Sequence, residues 1–285
     1  MQKFTYKEFN KKYSDDNACL EAIFNARYGA KKCPKCKHKS KFHKLSKRKC
    51  YSCQNCGYNI FPLADTIFHK SSTSLKDWFF AIYLFATSKN GVSAKELQRQ
   101  LGCTYKTAWR IGKQIRLLFS QNNIQLFDVV EADETYIGGK KGGKRGRGAG
   151  NKTAVFGIVQ RKGSIKVKVV KNVKSKTLLP IIKENVKNGA RFISDEFPSY
   201  SKVGKNGYNH NYIKHAVKEY VRGDIHTNNI EGFWSQLKRS IDGTHHAVSP
   251  KYLQSYVDEF SYRYNQRNAS SPLFYLFLEE VLKRA

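Results

Sequence analysis

Three acids in this chain have the type and spacing to hold divalent metal. Asp133 lies near the end of a stretch rich in β-formers, "LFDVVEADETYIGG"; Asp195 directly follows "RFIS"; Glu231 lies in "HTNNIEGFWSQLKR". Carboxylates from separate elements converge where strands end. Their hard oxygens suit Mg²⁺ or Mn²⁺. Without a cation such acids repel, and at least one tends to keep its proton. With two ions about 3.5–4 Å apart, one activates an attacking oxygen and the other stabilises the leaving oxygen of a phosphodiester. Each acid also has a plainer reading. Asp133 has Glu131 and Glu134 as neighbours, and any of the three could be an exposed charge. Asp195 precedes Glu196 and could cap a turn. Glu231 could be a first-turn helix acid stabilised by the dipole. It borders an apolar stripe of Ile230, Phe233, Trp234, Leu237 and Ile241, whose burial on a sheet would aim the neighbouring stripe at the cleft. Lys238 is two turns further along that neighbouring stripe, and with Arg239 it is placed to hold a DNA phosphate.

A second set is sulfur. Cys33 and Cys36 form "CPKC", Cys53 and Cys56 form "CQNC", and 16 residues lie between the pairs. Two such pairs predict a zinc ribbon with one structural Zn²⁺. Four thiolates leave no open coordination position. Cys50 also precedes Cys53 by three and is a rival ligand; the outer spacing is the preferred one. So Lys-rich a segment buries little core by itself, which makes metal its expected staple.

The elements that must position these groups follow from pattern. Residues 15 to 28 read as a helix with acids in its first turn. After the ribbon, Ser74 caps a helix that ends near Asn90-Gly91. Ser93 caps a second, with Leu97 and Leu101 facing inward. Gly102 turns the chain, and Thr104 opens a third with Ala108, Ile111 and Ile115 on one face. Two short helices about a Gly-bearing turn predict a helix-turn-helix, with Tyr105, Lys106, Thr107 and Arg110 directed at DNA; an ordinary helical bundle has the same pattern. From residue 126 the order is strand, hairpin ("KTAVFGIVQR", "SIKVKVVK"), helix over 175–188, strand, a further strand "YIKHAV", helix, and two C-terminal helices near 250–265 and 272–284. That series predicts an α/β fold with a mixed sheet. The expected domains are a helical segment (1–30), a ribbon (31–62), a helix-turn-helix (72–120) and a catalytic domain (126–285).

Composition points to the partner. The net charge is +30 and the pI about 9.8. Charge on this scale calls for a polyanion, with nucleic acid the leading class. No segment reaches the roughly 18 apolar residues of a membrane span, and no signal-peptide pattern opens the chain, so a cytoplasmic protein with no membrane partner is expected. Between the first two strands, "GGKKGGKRGRGAGNKT" carries Lys140, Lys141, Arg145 and Arg147. It is too rich in Gly and charge to pack a core, and it reads as a basic loop that closes over DNA or as a solvated hairpin tip. It is not a phosphate-binding P-loop: no Gly directly precedes Lys152, and a strand follows where a helix is needed.

Asp133 in "ADETYIGGK", Asp195 in "SDEFPSY" and Glu231 in "HTNNIEGFWSQLKR…GTHHAVS" resemble the DDE transposases of bacterial insertion sequences, in the group with an N-terminal zinc ribbon. The resemblance runs from "ACLEAIFNARYG" and the Cys pairs to the terminal helices, and the 35 residues between Asp195 and Glu231 match the spacing typical of that triad. It implies an RNase H-like catalytic domain with two Mg²⁺ or Mn²⁺ ions. It also implies cleavage at the ends of a mobile element and strand transfer by the freed 3′-hydroxyl. Terminal inverted repeats and target DNA would be the partners, and a homodimer or larger assembly would form on DNA, at the nucleoid. Some members carry Asn or His as the third catalytic residue, so Asn228 stands as an alternative to Glu231. His226, His245 and His246 are further candidates to line the cleft. Two other activities fit the same residues: a structure-selective nuclease or resolvase that cuts without joining, and an inactive zinc-ribbon regulator that only binds.

Overall fold

The computed structural model describes residues 4–29, 32–46, 48–120, 124–138, 152–214 and 221–283. The chain forms two compact units, Met1–Leu118 with Ala269–Ala285, and Phe119–Asn268.

The first unit opens with α1 (Tyr6–Lys12), an element the sequence reading did not anticipate. Thr5 and Glu8 close it with a reciprocal capping box. Asp15 caps α2 (Asp16–Tyr28) by accepting from Asn17 and Ala18 N–H. The ribbon is an antiparallel sheet of β1 (Phe42–Lys44), β2 (Tyr51–Cys53) and β3 (Asn59–Ile60) in sequence order. Then come α3 (Leu75–Thr87), α4 (Ala94–Leu101) and α5 (Tyr105–Leu117). Ser74, Ser93 and Thr104 each accept the N–H of the residue three further on, as capping requires. Gly102 adopts φ 60°, so the turn between α4 and α5 is one that glycine makes without Cβ strain. The last helix, α9 (Leu273–Lys283), belongs here and not with residues 126–268 as the expected boundary had it. Phe274 explains this: it is buried in an aromatic cluster, 5.5 Å from the Tyr13 ring, 6.0 Å from Phe9 and 6.4 Å from Phe79. Burying that ring and Phe277 outweighs continuity with the preceding chain.

The second unit is a five-stranded mixed sheet. β4 (Val129–Ile137), β5 (Thr153–Gln160) and β6 (Ile165–Val170) form an antiparallel meander. α6 (Ser175–Asn185) crosses to β7 (Arg191–Asp195), parallel to β4, and β8 (Asn209–Ile213) lies parallel to β7. The spatial order is β6-β5-β4-β7-β8, with only β5 reversed. This is an RNase H-like sheet, as expected. The final strand starts three residues earlier than the "YIKHAV" reading, and His215, Ala216 and Val217 lie outside the described residues. β4 and β5 are buried on both faces, which their near-continuous apolar runs require. One face packs α6 on Val130, Ala132, Phe156, Ile158 and Phe192. The other packs α7 (Asn228–Ser240) and α8 (Pro250–Asn265) on Val155, Val159, Ile165 and Val167. Among the described residues no helix is long and apolar enough to cross a membrane.

Candidate active site and zinc centre

Successive residues of a strand face opposite sides, so Glu131 and Asp133 share the face that meets α7, while Glu134 faces the other. Asp133 stands in the middle of β4, not near its end. What ends nearby is the pairing with β7. The last registered pair is Glu131 with Ile193, two residues before Asp133 on one strand and two before Asp195 on the other. Continued by two more residues, that register would bring these two acids side by side, just past the point where the recorded pairing ends. Electrostatics agrees. Burial first, and then the Glu134 and Asp195 charges, push the Asp133 carboxyl up to about 7. Asp195 Oδ1 accepts the Phe197 N–H at 3.0 Å, which turns the chain sharply after β7. Beside it lies a cleft of about 520 Å³ lined by Asp195, Phe197, Pro198, His210, Tyr212 and Lys214.

Residues outside the sequence reading of the site hold Asp133 in place. Its Oδ2 accepts the Trp234 Nε1–H at 3.0 Å. That bond depends on Gly157, the partner of Asp133 on β5. A Cβ at Gly157 would lie 2.7 Å from two Trp234 ring atoms, so only glycine lets the indole lie across the sheet. Trp234 was legible as a member of the apolar stripe, and nothing in the sequence marks its second role. On the opposite face Glu134 is buried and accepts the Tyr200 hydroxyl at 2.7 Å. Burial and the Glu134 charge raise the Tyr200 phenol well above its ordinary value, so it is a proton donor here. Glu134 is therefore not the exposed charge that one sequence reading allowed. Nor is Glu131, which has no exposure at all.

Glu231 lies in the first turn of α7, exposed, and accepts the Thr227 hydroxyl at 2.6 Å. It is one helical turn before Trp234, but its oxygens do not join a tight cluster with those of the two aspartates. Among the described residues, the one group of three or more ligand atoms all within 4.8 Å of one another is the four cysteines. Asn228 is exposed, and its N–H points to His226 Nδ1 at 3.4 Å. Lys238 and Arg239 are exposed on α7. Ile241–His245 form a π-helical turn after α7; there His245 sits edge-on to Tyr256, and His246 contacts the Asp242 carbonyl.

A divalent cation fits the aspartate pair. Its donors are hard oxygens, and Asp133 is an acid buried beside two like charges, a cost that a cation removes.

In the first unit, Tyr105 and Lys106 are exposed at the start of α5, with Lys95 Nζ 5.1 Å over the Tyr105 ring. Thr107 gives its N–H to the Thr104 cap. Arg110 departs from the expected outward orientation. Its guanidinium stacks on Trp78 and donates to Thr73 at 3.1 Å, contacts that favour the inward rotamer over a solvated one. Lys140, Lys141, Arg145 and Arg147 lie outside the described residues.

The zinc centre is built from two equivalent turns. After Cys33, Lys37 N–H returns to the Cys33 carbonyl and Cys33 N–H donates to His38 O; after Cys53, Gly57 and Tyr58 repeat both bonds, each at 2.9 Å. Lys37 and Gly57 both take positive φ, 62° and 68°. The turns bring Cys33 Sγ to 3.7 Å from Cys56 Sγ, and Cys36 Sγ to 3.9 Å from Cys53 Sγ. Tetrahedral zinc with bonds of about 2.3 Å sets its sulfurs about 3.8 Å apart, so the four thiols fit structural Zn²⁺. Cys53 Sγ and Ser40 Oγ are hydrogen-bonded at 3.2 Å, and this bond does most to hold the Cys53 thiol down at about 6. Cys50 is buried outside the cluster, so the outer spacing stands.

Comparison with known proteins adds to this geometry. Residues 125–265 match the ISXO2-like transposase domain, and residues 14–59 match the transposase zinc-ribbon domain. An uncharacterized protein in transposable element ISH50 of Halobacterium salinarum is 26% identical over 250 residues, 81% of this chain and 84% of that protein. An uncharacterized transposase-like protein of Haemophilus influenzae is 30% identical over 105 residues, 37% of this chain and 84% of its own length. Among solved structures, the catalytic core domain of BIV integrase aligns with 53% of this chain and 93% of its own, at 12% identity and a TM-score of 0.33. The strand order, not that slight likeness, carries the fold assignment.

Proposed function

The chain belongs to the ISXO2-like transposases with a zinc ribbon, and from that premise we propose that it cuts the ends of an insertion sequence and joins the freed 3′-hydroxyl to target DNA. The observation that supports this reading is the β4–β7 register, which ends two residues before Asp133 and Asp195, together with the Asp195 charge among the causes that raise the Asp133 carboxyl to about 7. Asp133 and Asp195 are the first two acids that hold Mg²⁺ or Mn²⁺. Glu231 is the third, reached by rotation of its side chain away from Thr227. A pair of such ions supplies nucleophile activation and leaving-group stabilisation in phosphoryl transfer. Trp234 fixes the Asp133 oxygen that it bonds, leaving the other for metal. Lys238 and Arg239, exposed on the same helix, hold DNA phosphates. Tyr105, Lys106 and the ribbon recognise terminal inverted repeats. Two ends must meet, so the working form is a dimer or larger on DNA, acting at the nucleoid in the cytoplasm.

The test is to incubate the full chain with duplexes carrying the element's ends, a target plasmid and Mg²⁺. Nicks at the 3′ ends followed by joined products are expected. Cleavage without joining would instead make it a nuclease or resolvase. Site-specific binding without cleavage would make it a regulator.

A further inference from the structure

We infer that Glu131 is a positioning residue: it caps the N-terminus of α7 from the neighbouring strand and so fixes Glu231 relative to Asp133. The inference rests on the reading of Glu231 as the third metal ligand. A helix leaves its first N–H groups unpaired, and a side chain just before it normally accepts those of the second or third residue. In α7 the residue in that place is Thr227, which makes no such bond. Its hydroxyl goes to Glu231 Oε1 at 2.6 Å instead. The capping bonds come from β4. Glu131 Oε2 accepts the Asn229 N–H at 2.9 Å and the Ile230 N–H at 3.2 Å, the second and third residues of the helix. Glu131 Oε1 accepts from Asn229 Nδ2 and from Arg161 Nε, each at 2.7 Å. Arg161 also holds the His226 carbonyl at 3.0 Å, tying down the segment that leads into α7.

Capping from a distance does two things that a local cap cannot. It frees the Thr227 hydroxyl to hold Glu231. It also bolts the helix to the strand that carries Asp133, two residues away on the same face. A fully buried carboxylate is costly unless it is paired and bonded throughout. Glu131 meets that condition, and the dipole at the helix N-terminus favours its charge.

The test uses the full chain with Mn²⁺ alone as probe, its affinity read by the resonance of free Mn²⁺, together with hydrogen exchange at Asn229 and Ile230. Changing a residue that orients a metal ligand commonly costs about 10–100-fold in affinity. Glu131→Gln should weaken Mn²⁺ binding by at least about tenfold on that scale and speed exchange at both amides. Glu231→Gln should weaken Mn²⁺ binding too, and the double variant should bind no worse than Glu231→Gln alone, since both changes act through one ligand. A purely structural Glu131 would lower the melting temperature and leave the Mn²⁺ affinity of the folded protein at the wild-type value. That result, or additive losses in the double variant, overturns the inference. If Glu231→Gln itself binds Mn²⁺ and cleaves as wild type, the reading of Glu231 fails and takes the inference with it, a distinguishable outcome. If Glu131→Gln does not fold, Asn229→Ala removes one of the four donors and should produce the same changes on a smaller scale; unchanged affinity there counts against the inference.

Discussion

The ribbon and the proposed acid site gather their candidate metal ligands in opposite ways. In the ribbon each pair of thiols is set by a turn of a few residues, and the same backbone bonds recur at Cys33 and Cys53. The result is four sulfurs at near-tetrahedral separation. In the second unit each acid comes from a different element. Two stand on the neighbouring parallel strands β4 and β7, and the proposed third stands on a helix, bonded to Thr227. Local turns preorganise a closed centre, whereas the proposed acid site draws on separate elements, and its third acid is held by Thr227.

The largest effects should come from the acids. Asp133→Ala and Asp195→Ala are expected to abolish both cleavage and joining in gel assays, because each step needs positioned cations. DNA binding and one zinc per chain should remain. Glu231→Gln should be nearly inactive and Asn228→Ala mild. The opposite pattern would move the third ligand to Asn228.

Next come the thiols. Cys33→Ser or Cys56→Ser should lose zinc by elemental analysis and weaken binding to element ends. The second unit should stay folded, with its thermal transition in place. Loss of that transition would mean the two sites are not as independent as their construction suggests.

Gly157→Ala tests the coupling inside the acid site. Its Cβ would meet the Trp234 ring, so the indole must move and the Asp133 bond must break. Overpacking of this kind costs about 1–3 kcal/mol, read by denaturant titration, and activity should fall further than stability alone predicts. Trp234→Phe is the control: it keeps most of the ring and removes only the N–H.

The smallest effect is a pH dependence. Asp133 titrates near 7 in the folded chain against an ordinary 3.8, so the folded state holds a proton that the unfolded chain releases. Its contribution to stability is therefore full at low pH and is lost as pH rises to about 7. Melts without divalent ions should show the second unit weakening between pH 5 and pH 8. Added Mg²⁺ should restore more at pH 8 than at pH 5. The ribbon, with zinc in place, should not respond to Mg²⁺.

The sequence by itself determined whatever a few neighbouring residues decide. The four zinc ligands were legible because Cys-x2-Cys and its turn are local. So were the caps at Ser74, Ser93 and Thr104, where a hydroxyl meets an N–H three residues on. The capping box at Thr5 and Glu8 is equally local. The strand and helix series of the second unit followed from apolar runs and breaks. Only the tertiary structure decided which acids meet and what holds them. Glu131 and Asn229 are 98 positions apart, and Asp133 and Trp234 are 101. Before folding, Glu131, Asp133 and Glu134 are three similar carboxylates on one short stretch. Strand alternation sends Glu134 to the face opposite the other two, and helix docking then buries Glu131 as a cap and leaves Asp133 beside Asp195. Likewise Arg110 and Phe274 took their places because Trp78 and the aromatic cluster offered partners that exist only in the packed chain. Side-chain chemistry lists what a residue can bond, and packing selects which partner it has.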